Sequence, residues 1–267
     1  MTGADSTLKP GAWRNFAGVY GRLGPPLRPS ASDVANLGRS IAHEGKRILL
    51  LGVTPELSAL GSELVAVDNS LLMIERVWPG DGPKRMAIFG DWTDLPFAAA
   101  TFDAAIGDAS LNAAPELVDE VLGEVKRVLL PEGKAAFRLF CAPEEPETLE
   151  WIAHEVRAGW KGNLHALKWR IAMNLAAARP RAMVPVEEIL VAFNGMFPDR
   201  ARLAAQTGWL QDDIATLDAY AGAQHSLGFP TLRALLEAIG RHFLEVCVVP
   251  SSGYPLAERC PTVICGG

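Results

Sequence analysis

Apolar and polar positions fall into two regimes along this chain. Up to about residue 140, five short apolar runs, KRILLLG, ELVAVD, MAIFGD, TFDAAIGD and KAAFRLF, alternate with segments of helical period. A run that is apolar at nearly every position suits a strand covered on both faces of a parallel sheet. Between the runs, Ser32 to Gly45 reads as a helix after a Ser/Asp cluster, and TPELSALG as a short helix. NSLLMIERVW sets Leu71, Leu72, Ile74 and Val77 at helical spacing before the turn PGDGPK, and PELVDEVLGEVKRVLL has Pro115 at N1 ahead of an amphipathic face. Strands alternating with helices in this way predict an α/β protein with a doubly wound, mostly parallel sheet.

The pattern changes at Ala142. From there to about Gly228 no strand is expected, and helical stretches are punctuated by Gly, Pro and Asn. PTLRALLEAIGRHF then predicts a helix, and FLEVCVVP and CPTVICG two strands joined by SSGYPLAER. So short a connection predicts an antiparallel pair, which brings the sheet to seven strands.

Composition narrows the function classes. With 267 residues, 49% hydrophobic and 21% charged, the chain has enough apolar material for one large domain, or a smaller one with an insertion. No apolar run approaches the roughly 18 residues of a membrane span, and the opening MTGADSTLKPG lacks the basic and apolar regions of a secretory signal. Cys141, Cys247, Cys260 and Cys265 have no CxxC spacing, so reduced thiols in a cytoplasmic protein are expected. HEVRA at 154–158 begins like HExxH but ends in Ala158, and no metal is expected. A net charge of -6 disfavours nucleic acid as a partner, because phosphate neutralisation needs clustered Lys and Arg.

Candidate chemistry lies at the strand ends. The first turn, Gly52-Val53-Thr54-Pro55-Glu56, is where parallel sheets often hold a ligand. It has one glycine. Thr54 reads as an N-cap, Pro55 lacks an N–H, and Glu56 puts negative charge where a pyrophosphate would need positive. Such a turn suits a phosphate-free, cationic ligand, and S-adenosylmethionine (SAM) has a sulfonium, an amine and no phosphate. Asp68, sixteen residues after Gly52 and followed by Asn69, ends the second strand where a carboxylate accepts both ribose hydroxyls. Gly90-Asp91-Trp92 ends the third, offering a carboxylate for an adenine amine and a wall for its ring; Gly107-Asp108-Ala109-Ser110 ends the fourth, by the expected methyl donor.

The ordered motifs LLLGVTPEL, VAVDNS, GDW followed by LPF, FDAAIGD, and VKRVLLPEG before KAAFRLF resemble those of the class I S-adenosylmethionine-dependent methyltransferase family, in its type 11-like form. The resemblance covers residues 40–141 and 229–265, about three-fifths of the chain. It departs from the family pattern at Gly52-Val53-Thr54, where GxG is usual, and at Pro131-Glu132-Gly133, where PGG is usual. It implies a Rossmann-like methyltransferase fold with SAM as cofactor and S-adenosylhomocysteine as product. Residues 32–141 and 229–267 would form the SAM-binding domain, 1–31 an N-terminal lid arm and 142–228 a mostly helical cap.

The cofactor contacts expected on this basis are Gly52, Val53, Thr54, Pro55, Asp68, Asn69, Met73, Gly90, Asp91, Trp92, Asp108, Ala109 and Ser110. From the arm, which opens Trp13-Arg14-Asn15-Phe16, Tyr20 and Arg28 join them, Arg28 meeting the methionyl carboxylate. Methyl transfer is an in-line displacement that needs no protein nucleophile. No catalytic residue is therefore assigned, with Asp108 and His165 the candidates. Between Arg157 and Arg181 stand six cations and no acid, which reads first as a solvated helix face matched by Glu144, Glu145, Glu147 and Glu150. If functional, it would favour an anionic small-molecule acceptor, with His165, Trp160 and Trp169 lining its pocket. The alternatives are a non-catalytic SAM- or metabolite-binding protein and a nicotinamide-dependent oxidoreductase. The oligomeric state stays open.

Overall fold

The computed structural model describes residues 14–267. Helices α1 (Arg14–Val19) and α2 (Ala31–Ile41) lead into β1 (Arg47–Leu51), β2 (Glu63–Asp68), α3 (Leu71–Arg76), β3 (Arg85–Phe89), β4 (Phe102–Asp108), α4 (Ser110–Ala113), α5 (Val118–Val128) and β5 (Leu129–Arg138). Next come α6 (Leu149–Arg157), α7 (Leu164–Ala177), β6 (Met183–Pro185), α8 (Val186–Met196), α9 (Arg200–Thr207), α10 (Gln211–Ala215) and β7 (Ser226–Gly228). The chain closes with α11 (Leu232–Gly240), β8 (Glu245–Val249) and β9 (Thr262–Gly266).

Seven strands form one sheet in the order β3-β2-β1-β4-β5-β9-β8, with β1 to β5 parallel and β9 antiparallel to both β5 and β8. The α/β, Rossmann-like expectation and its antiparallel C-terminal pair are met. The continuous apolar runs are explained by the two layers. Ile48 and Leu50 of β1 face Leu37, Ile41 and Leu57 on one side, while Leu49 and Leu51 face Val121, Leu122 and Val125 of α5 on the other. Successive strand side chains point to opposite faces, so a central strand with both faces covered is apolar throughout. Strand order reverses between β1 and β4, which opens the crevice at their carboxyl ends.

Three local expectations are corrected. TPELSALG is not an α-helix: only a single 3-10 turn, Pro55–Leu57, follows β1, and the Thr54 side chain makes no capping bond. No helix dipole therefore points at the first turn. Pro115 is not N1 of α5, which begins three residues later at Val118. The stretch from 142 to 228 also contains strands, since β6 and β7 pair antiparallel from Met183↔Gly228 to Pro185↔Ser226. Three-residue strands formed by segments about forty residues apart leave little periodic signal.

The basic stretch is a solvated face only in part: Arg157, Lys161 and Arg181 are exposed, but Lys168 and Arg170 are buried. Helix α7 is buried almost all round, at the centre of a third apolar cluster with Ile152, Ile189, Phe193 and Leu217. Lys168 is fully buried and donates to Thr216 Oγ1 at 2.7 Å beneath the Tyr220 ring. Arg170 is paired with Glu147 and Glu155, and Arg179 with Glu188. Glu147 also meets Arg259 at 2.8 Å, so this acid serves buried pairs and not a helix end.

Candidate functional site

At the carboxyl ends of β1, β2 and β4 lies a cavity with about 1230 Å³ of empty space, counting its open mouth. Its floor is the turn Gly52-Val53-Thr54. Gly52 has φ +97°, a left-handed conformation that glycine adopts without steric cost, and its amide closes the ladder on the Val67 carbonyl at 2.9 Å. A Cβ added there would lie 3.8 Å from Trp92 Cζ2 and 4.0 Å from Asp68 Oδ2. The missing side chain thus leaves the space between a carboxylate and an indole open.

Asp68 ends β2 and accepts the Ser70 amide on Oδ1 at 2.8 Å, leaving Oδ2 toward Gly52. Burial pushes its carboxyl up to about 6, against the pull of the Ser70 N–H. Ser70 also caps α3, which sets Met73 in the cavity wall. Trp92 is fixed by its indole N–H on the Val67 carbonyl, 2.7 Å. At the end of β4, Ala109 holds a left-handed φ of 57° and Gly107 lies against Ser110 Oγ, where a Cβ would come within 2.2 Å. Backbone strain of this kind at a non-glycine residue is concentrated at ligand sites.

Asp108 lines the cavity but is paired behind it. Its Oδ1 accepts from Arg138 Nε at 2.6 Å, and Arg138, with no exposed surface, also donates to the Pro26 carbonyl at 2.9 Å. Burial raises the Asp108 carboxyl while Arg138 draws it down. A carboxylate so neutralised is placed to hold charge, and less suited to trade protons with a ligand.

Eleven of the fifteen expected cofactor contacts stand in the cavity wall: Gly52, Val53, Thr54, Asp68, Asn69, Met73, Trp92, Asp108, Ala109, Ser110 and Tyr20. Pro55, Gly90, Asp91 and Arg28 do not. Asp91 turns away to cap Thr93, accepting its amide at 2.9 Å and its hydroxyl at 2.8 Å. Gly90 lies against Val67 Cγ1, where a Cβ would come within 2.9 Å, which is a packing role. Arg28 donates to Glu56 Oε1 at 2.5 Å and stacks on Tyr20, so it is already engaged. His165 is outside the wall as well, lodged against Gly24; burial and nearby Lys168 lower its imidazole to about 4. Trp13 lies outside the described residues.

The other wall is aromatic and comes from distant segments. Trp169 of α7 lines it, as the sequence suggested, but Trp160 lies under Arg170 instead. Phe16, of the arm expected over the site, lines it too, while Phe140, Tyr220, His225 and Phe229 were not anticipated. Their sequence signal is no more than ring side chains among apolar neighbours, which every buried core also produces. Burial lowers His225 to about 4, so it is a neutral imidazole at pH 7. Asn112, also on the wall, ties three segments: its amide donates to the Phe140 and Gly228 carbonyls at 2.8 and 2.7 Å and accepts the Phe140 N–H at 2.9 Å.

Residues 52–137 match the family model described as a methyltransferase domain. No curated protein matches the chain in sequence. Among solved structures, one from Rhodobacter sphaeroides described as "Putative Zn-dependent Alcohol Dehydrogenases" is 15% identical, with a TM-score of 0.60 over 98% of this chain and 99% of its own. Another, from Methanococcus maripaludis and described as a "putative s-adenosyl-l-methionine-dependent methyltransferase", is 12% identical, with a TM-score of 0.50 over 100% of this chain and 96% of its own. At such identities the likeness extends to the fold alone.

Proposed function

We propose, from the premise that residues 52–137 belong to the methyltransferase domain family, that the protein is a SAM-dependent methyltransferase acting on a small-molecule acceptor. The observation that carries this reading is the single cavity that joins the Gly52 turn, the desolvated Asp68 carboxylate, the Trp92 indole and the strained Ala109. The fit to the cofactor rests on the same features. Asp68 Oδ2 is a half-buried acceptor facing the space above a glycine, which suits ribose hydroxyls. Trp92 and Met73 give the nucleoside an apolar wall. Among the described residues no Lys or Arg lines the cavity and no α-helix follows β1, so the first turn offers a pyrophosphate neither a cation nor a helix dipole.

When bound, SAM supplies an electrophilic methyl group on a sulfonium. The chain's own contribution is to bind, orient and exclude water. Asp68 holds the sugar; the backbone from Gly52 to Thr54, with Tyr20 and Asp108, bounds the amino-acid end; residues 142–228 act as a cap, and the described part of the N-terminal arm, 14–31, as a lid over the acceptor. His225 is neutral at physiological pH and serves as a hydrogen-bond acceptor there.

Calorimetry with S-adenosylhomocysteine and with NAD tests the cofactor, and labelled SAM with a mixed acceptor panel tests transfer. Binding of S-adenosylhomocysteine with label incorporated into a small molecule is expected. Binding without turnover on any acceptor would favour a non-catalytic binding protein. Binding of NAD alone would replace the reading with an oxidoreductase.

A further inference from the structure

Among the described residues, the part of the cavity away from Asp68 and the Gly52 turn contains no cation. Three basic side chains that pack on its wall rings are engaged elsewhere: Arg138, over Phe140, with Asp108; Arg28, over Tyr20, with Glu56; Lys168, against Tyr220, with Thr216. An anionic group entering here would shed its hydration and find no cation on the wall to receive it. The wall is instead a set of rings. Trp169 meets Phe140 and Phe229 edge to face, both with centroids 5.2 Å away, and Tyr220 and Phe16 complete it. Edge-to-face rings share their quadrupoles and present faces and edges suited to a flat aromatic guest.

One further feature is polar. The Trp169 indole N–H is buried and has no hydrogen-bond partner among the described residues. A donor left in that state costs about 1–3 kcal/mol until something accepts from it. Trp169 is part of the cavity wall, so an oxygen of a bound molecule can accept from this donor once the ring turns toward the cavity.

We propose that this compartment takes an uncharged, flat aromatic molecule bearing a hydrogen-bond acceptor, with Trp169 supplying both the ring contact and the donor that selects it. The proposal rests on the methyltransferase reading for what is done to the molecule, but not for its binding.

The test uses four matched probes and the full-length protein, with affinities measured by calorimetry in the presence and absence of S-adenosylhomocysteine. 2-Acetylnaphthalene is neutral with one carbonyl, 2-ethylnaphthalene has the same shape without oxygen, 2-naphthoate carries a charge, and dodecan-2-one is a saturated ketone of equal carbon count. The aryl ketone is expected to bind tightest, by about tenfold over 2-ethylnaphthalene, the worth of one hydrogen bond. Trp169→Phe keeps a ring and removes the donor; it should erase that preference and leave S-adenosylhomocysteine binding unchanged. Tightest binding by 2-naphthoate, or equal binding by dodecan-2-one, would overturn the proposal. So would a preference for the ketone that survives Trp169→Phe. Should S-adenosylhomocysteine fail to bind while the ketone ranking holds, the cofactor reading falls and this one stands.

Discussion

Asp68 carries a pH dependence that follows from its desolvation. Burial holds its carboxyl at about 6 against an ordinary 3.8, so the folded chain keeps a proton that the unfolded chain has already released. Stability therefore falls as pH rises from about 4 through 6, and hydroxyl donors from a bound ribose would offset the loss. On the proposed reading the ribose binds the ionised carboxylate, so affinity for S-adenosylhomocysteine is expected to fall as pH drops below about 6, as calorimetry across pH 5 to 8 would register. Asp68→Ala should weaken that affinity by about 1–3 kcal/mol and flatten the pH profile. Unchanged affinity would remove Asp68 from the site. Gly52→Ala carries two penalties, a strained φ of +97° and a methyl in the space beside Trp92 and Asp68. Loss of binding beyond the accompanying drop in stability is its expected signature, read by calorimetry and thermal unfolding together.

Among the elements, two buried polar links determine how the aromatic wall is held against the sheet. Asn112 of α4 fastens the end of β5 to β7 through three hydrogen bonds, two of them to Phe140. Asn112→Leu leaves those backbone groups unpaired in the interior, at about 1–3 kcal/mol each before relaxation. A clear fall in the denaturant midpoint is expected, with ligand affinity lowered because Phe140 and Leu227 both line the cavity. The Asp108–Arg138 pair links β4 and β5 to the segment carrying Pro26. Arg138→Met alone should destabilise by about 3–5 kcal/mol, since it strands a buried carboxylate, whereas Asp108→Asn with Arg138→Met should recover part of the loss. No recovery in the double variant would mean that the bonds from Arg138 to Pro26 and Tyr254 dominate.

For the molecule as a whole, the cavity draws its walls from segments far apart in sequence: Phe16 and Tyr20, the strand ends from 52 to 114, Phe140, Trp169 and residues 219–229. A ligand filling it should protect all of these from hydrogen exchange together, and at a hundredfold excess over its Kd should stabilise the fold by about 2.7 kcal/mol. Protection confined to residues 50–70 would place the ligand outside the aromatic half. The parallel sheet and the Asp68 end of the site were legible in the sequence because they rest on local rules: apolar runs for covered strands, a carboxylate at a strand end, a glycine at a turn. TPELSALG misleads because Thr-Pro-Glu begins a 3-10 turn as readily as an α-helix, and the space between β1 and β2 decides whether the turn continues. The basic run misleads for a similar reason. Its charges look solvated in sequence, and only packing shows that Lys168 and Arg170 have partners inside. Sequence alone determined the fold class and the cofactor-side pattern, since local periodicity and turn chemistry encode both. Tertiary structure alone decided which aromatics share a cavity, that Arg28 is engaged by Glu56, and that Asp108 is neutralised by Arg138, because each depends on charges and rings brought together from separate parts of the chain.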